Sequence, residues 1–173
     1  MGEAGTRLAK AWRALLLLRK GERARAHELA RSSLREAQAV LAQRPDDVRS
    51  LSKAMLSNAV LGERQAAWDA YKRRRARIAK PDAFDISELA TFRLYLYAAL
   101  GDRDGALQTL EVELKQRNPL PADWEYTDLY LFSVRGDPRV QALLKDPANN
   151  APLPIVNWDP EKMLAGLRAP DEP

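Results

Sequence analysis

Cysteine is absent from this 173-residue chain, which removes disulfides, thiolate metal sites and cysteine nucleophiles together and leaves the redox compartment open. Histidine occurs once, at His27, so multi-histidine metal sites are excluded, Cys-His pairs fall with cysteine, and a Ser-His-Asp triad would have to be built on that one residue. His27 has Arg23 and Arg31 four residues away on either side and reads as a surface or groove-edge residue. Long apolar runs are missing too: stretches such as Ala14 to Leu18 are far short of the roughly 18 residues that a membrane span needs. The opening MGEAGTRLAK carries Glu3 and no apolar stretch after it, unlike a secretory signal, and it begins either a natural protein or a piece of a longer one. Val, Ile and Thr are few and never alternate at period two, so strands are not expected. No glycine-rich phosphate loop exists: the eight glycines are scattered, and Gly101 to Gly105 lacks both a lysine and a preceding strand. The close carboxylates, Asp46 with Asp47, Asp102 with Asp104 and Glu111 with Glu113, are explained by helix capping or exposure. With no nucleophile, base or metal set to assemble, we expect no enzyme, no cofactor and no metal site.

What is present is helical periodicity. Apolar residues are 46% of the chain and charged residues 30%, a balance that supports a folded domain of this length. Helices are expected over residues 6–20, 22–44, 47–61, 63–80, 86–100, 102–117, 123–134 and 137–145, with Pro81 to Asp85 and Asn118 to Pro121 as connectors. They pair into four hairpins, each broken at a glycine: Gly21, Gly62, Gly101 and Gly136. The separations are 41, 39 and 35 residues, a drifting repeat. The expected fold is therefore all-α, an α-solenoid of four antiparallel helical hairpins spanning 1–147. A C-terminal tail over 148–173 is expected to pack on or cap the last repeat through Leu153, Ile155, Val156 and Trp158, with a short helix from Asp159 to Leu167.

Charge is unevenly placed. Residues 1–80 hold 19 Lys/Arg against 8 Asp/Glu, and residues 81–173 hold 9 against 16. Such halves could steer an acidic partner or let copies associate head to tail, although free use of arginine on solvated helix faces explains them equally. The densest cluster, Lys72, Arg73, Arg74, Arg75 and Arg77, is the one nucleic-acid candidate, and helical winding spreads it around the rod, as on a solvated convex face.

The third hairpin resembles a tetratricopeptide repeat, on Tyr97, Leu100, Gly101, Asp102 and Ala106; the second does so on Leu61, Gly62, Ala67 and Tyr71, and the first on Gly21, Ala26 and Pro45. The second helix of the first hairpin is about seven residues longer than the family pattern, and Arg93 and Leu94 stand where that pattern keeps an apolar and a small residue. The closing segment, on Arg135, Asp137, Pro138, Arg139, Val140, Gln141, Leu143 and Leu144, is similar to the end of the tetratricopeptide-like regions of bacterial multidomain regulators of the Ser/Thr kinase, winged-helix or adenylate-cyclase type. The resemblance implies a right-handed superhelix whose first helices line a concave groove. Arg49, Ser52, Leu56, Glu88, Thr91, Tyr95, Asp123, Tyr126 and Tyr130 would face that groove and grip a peptide or helix. It further implies a non-enzymatic interaction scaffold or sensory module, cytoplasmic, or periplasmic if cut from a membrane-anchored regulator. The alternative is a nucleic-acid-binding or small-ligand-sensing helical domain using the basic 72–80 helix.

Overall fold

The structure, a computed structural model, describes residues 9–78, 82–115, 136–146 and 165–170, with backbone alone at 83, 112–115 and 144. Seven helices and no strand occur among the described residues. In chain order they are α1 (Ala9–Arg19), α2 (Arg23–Gln43), α3 (Val48–Leu61), α4 (Arg64–Arg75), α5 (Ala83–Leu100), α6 (Arg103–Lys115) and α7 (Pro138–Lys145). The chain divides into two compact units, Met1–Arg77 and Ile78–Pro173. The first helix expected in the fourth hairpin, Asp123 to Val134, lies outside the described residues, as do Leu153, Ile155, Val156 and Trp158.

One turn closes three helix pairs in the same way. Gly21, Gly62 and Gly101 take φ of 79°, 81° and 71°, the left-handed region that glycine enters without a Cβ penalty. Behind each glycine the next N–H reaches back to the preceding helix: Glu22 to Leu17 O, Glu63 to Asn58 O and Asp102 to Tyr97 O, each at 2.9 Å. The carbonyl of that same acidic residue accepts the first bond of the following helix, from Ala26, Ala67 and Ala106, and all three alanines are fully buried. Glycine, acid and alanine at fixed offsets thus set turn, helix start and closest approach in turn. Gly136 differs: it precedes α7, whose cap is Asp137 with Pro138 at the first helical position, and its φ is not left-handed.

In the first unit α1 packs on α2, α2 on α3 and α3 on α4, while α1 also touches α3. α3 is enclosed over its whole circumference: every residue from Ser50 to Val60 is buried. In the second unit α5 packs on α6, and α6 touches α7. The α5–α6 approach is so close that a Cβ built on Gly105 would stand 2.2 Å from Tyr97 Cε1. The tail joins this unit as well, because Arg93 of α5 donates to the Gly166 carbonyl, and Leu167 and Ala169 are buried. Arg93, the residue that departs from the repeat pattern, is therefore the one that receives the tail.

Two expected boundaries are corrected. Helix α4 ends at Arg75 and not at Lys80: its last turn tightens as Arg77 N–H bonds Arg74 O. The connector expected over residues 81–85 instead contains the start of α5, because Asp82 and Asp85 form a reciprocal capping box, each side chain accepting from the other's backbone N–H. Aspartate at the third position does here what glutamate usually does.

Two predictions follow from this packing. Gly105→Ala gains up to about 1 kcal/mol of helix propensity but must displace the buried Tyr97 ring, so we expect a net loss of about 1–3 kcal/mol in urea unfolding. Gly136→Ala, with nothing within 4 Å of the added carbon, is expected to be nearly neutral. Asp137 is held at about 2, below its ordinary 3.8, first by the Arg139 side chain and then by the Arg139 N–H. A depressed carboxylate stabilises the fold above its unfolded value and stops doing so as pH falls through its folded one. The melting temperature should therefore drop between about pH 4 and pH 2, and less so in Asp137→Asn, which keeps the cap but cannot titrate.

Candidate functional site

The residues expected to face a groove sort by exposure. On α3, Arg49 is exposed, but Ser52 and Leu56 are buried. On α5, Glu88 and Thr91 are half-buried and Tyr95 is buried, in edge-to-face contact with Phe92 at 6.4 Å. Asp123, Tyr126 and Tyr130 lie outside the described residues. For Ser52, Leu56 and Tyr95 the expectation of an open groove wall is thus corrected, because α3 is packed on every side and the α5 ring is interior. The surviving accessible positions are Arg49, Glu88 and Thr91, on two different units.

The basic cluster is also redistributed. Arg74 is only 2% exposed, and its Nε donates at 2.9 Å to Ser52 Oγ, whose hydroxyl in turn donates to Val48 O at 3.0 Å. Arg73 donates to the Pro45 carbonyl, Arg77 pairs with Asp46 at 3.3 Å and Lys72 lies 3.8 Å from Asp69. Arg75 is half-buried. Four cations in the last turn of α4 complement its C-terminal carbonyls, and two of the cluster's arginines reach the α2–α3 loop. Within the run Arg74 serves the fold from inside, and the expectation that the run forms a solvated face is corrected there.

A surface pocket of about 360 Å³ opens where α2 meets α3, lined by Val40 and Arg44 on one side and by Asp47, Val48, Arg49, Ser50 and Lys53 on the other. Asp47 caps α3 through Ser50 N–H at 2.9 Å, and that serine pulls its carboxyl below the usual range. Lys53, largely buried, donates to Glu36 at 3.0 Å, and Glu36 also receives Lys10 from α1. Both lysines hold the Glu36 carboxyl ionised by lowering its pKa, Lys10 the more strongly. One carboxylate thereby ties α1, α2 and α3 together. Apolar periodicity carries no signal of this triad, since Lys10, Glu36 and Lys53 are far apart in sequence and charged.

No group of three or more metal-binding side chains occurs among the described residues. Nor is any helix among them long and apolar enough to cross a membrane. No protein-family model, curated protein or solved structure matches the chain. The resemblance to tetratricopeptide repeats therefore rests on the residues that carry it.

The buried bond from Arg74 predicts an uneven response within the basic run. Arg74→Ala should cost about 2 kcal/mol, a charged hydrogen bond with its packing, whereas Arg77→Ala, removing an exposed ion pair, should cost under about 1 kcal/mol. Urea unfolding of the two variants measures the difference.

Proposed function

We propose that this chain is a non-enzymatic, tetratricopeptide-like module that mediates protein–protein contact, binding a peptide or a helix in a concave groove lined by its first helices. Its setting would be a bacterial signalling or regulatory protein. One observation carries the reading: the same glycine turn, back-bonded acid and buried alanine recur in three successive helix pairs. Recurrence of one supersecondary unit is what stacked helical repeats require, and such stacks present extended surfaces in place of a cleft built for chemistry. Supporting it, α1 touches α3 across the intervening α2, as first helices of adjacent repeats do. The chemistry-bearing residue types that a hydrolase or transferase would assemble are also scarce, with one histidine and no cysteine.

The accessible first-helix positions and the two tyrosines further along the chain supply the test. A partner identified by cross-linking in the source cell is purified, and its affinity is measured against Arg49→Ala, Thr91→Ala, Tyr126→Ala and Tyr130→Ala. We expect at least about tenfold weaker binding for one or more of them, the 1.4 kcal/mol or more typical of an anchor residue, with the melting temperature nearly unchanged. Wild-type affinity in all four would overturn the groove, and a large fall in melting temperature for the tyrosine variants would assign those rings to the core.

A further inference from the structure

Arg74 of the 72–77 cluster is buried and Arg73 and Arg77, though exposed, are tied to the α2–α3 loop, but the first unit shows a second set of exposed cations. Helix α2 carries Arg23, His27, Arg31 and Arg35 at four-residue intervals, an i, i+4 row about 18 Å long at 1.5 Å per residue. The three arginines are exposed and His27 is half-buried. Among the described residues none of the three guanidinium groups makes a side-chain hydrogen bond or ion pair, for a reason visible along the helix. Glu22 is taken by Arg25, and Glu36 by Lys10 and Lys53. Among the described residues, Glu28 is the carboxylate near the row that no cation pairs with. The row runs along the flank of the core side of α2, where Ala26, Ala30, Ser33 and Ala37 are buried, so it is held on a rigid element.

We propose that this row is a docking surface for the phosphodiester backbone of a nucleic acid. The choice of ligand follows from what the surface lacks. Protein interfaces are anchored by aromatic or large apolar side chains, and α2 has no aromatic residue and only half-buried leucines and valine at its surface; the large hydrophobic residues exposed among the described residues are Leu16, Val48 and Phe84, all on other helices. The exposed uncharged residues of the helix are Ala24, Gln38, Ala39, Ala42 and Gln43. A surface of charge without anchors suits a ligand whose affinity comes from phosphate neutralisation and counterion release, and the arginine fork matches phosphate oxygens in pairs. The unit that carries the row has the matching excess, 18 Lys/Arg against 8 Asp/Glu in residues 1–77. This surface is separate from the groove, so it stands whether or not the protein-binding reading does.

Fluorescence anisotropy of the full chain with labelled DNA and RNA strands and a DNA duplex, each of ~20 nucleotides or base pairs, at rising potassium chloride tests it. On duplex the slope of log K against log salt should be about −3, one phosphate for each of three arginines. The pair R31E and R35E should weaken binding at least about tenfold and flatten the slope by about 2, and the uncharged pair R31Q and R35Q, which reads the same site if the first fails to fold, should do so less steeply. Glu28→Gln should tighten it. Absence of binding at low salt, or variants that bind like wild type, would overturn the proposal. So would an equal loss from R73E and R77E, which would move the site to α4, or equal affinity for polyglutamate, which would make the partner an acidic protein.

Discussion

Enclosure of α3 is the constraint on which the first unit depends. A helix buried on every side has no face on which to leave a polar group, yet α3 carries Ser50, Ser52, Lys53, Ser57 and Asn58 at buried positions. Burying such groups without partners is costly, and neighbouring helices supply partners for two of them. Glu36 of α2 meets Lys53, and Arg74 of α4 meets Ser52. The bonds that satisfy α3 are therefore the same bonds that fix its neighbours. The α2–α3 loop is fixed from α4 as well, by Arg73 on the Pro45 carbonyl and Arg77 on Asp46.

The second unit is organised by steric contact in place of polar compensation. Glycine at 105 lets α6 settle against the Tyr97 ring, and Arg93 lies 5.6 Å from the centroid of that ring, a cation over an aromatic face. The same guanidinium reaches the Gly166 carbonyl, so helix approach and tail docking share one side chain. Arg139 plays the corresponding part at the α6–α7 end, bridging Asp137 and Asp104.

These two arrangements decide which charges remain for function. Cations adjacent in sequence were separated by winding: Arg74 went inward, Arg73 and Arg77 went to a loop, and Lys72 stayed near its own helix's Asp69. Cations spaced at four residues on α2 kept a common row, with Glu36 beside them engaged by lysines of α1 and α3 and Glu22 by Arg25 of the same helix. Spacing, more than density, determines whether charges on a helix act together.

Local rules written in the sequence determined the helices, their glycine turns and most caps. Gly21, Gly62 and Gly101 announce left-handed turns, Asp47 and Asp137 announce caps, and apolar spacing announces helices, since each depends on neighbours within a few residues. The start of α5 was legible in principle, had Asp85 been read as the partner of Asp82. Only the tertiary structure decided that Ser52, Leu56 and Tyr95 are interior, that Gly105 is a contact residue, and that Arg74 of the dense basic run is internal while Arg23, Arg31 and Arg35 are exposed. Those outcomes depend on what faces each side chain from another helix, and periodicity along one helix holds no information about the partner across from it.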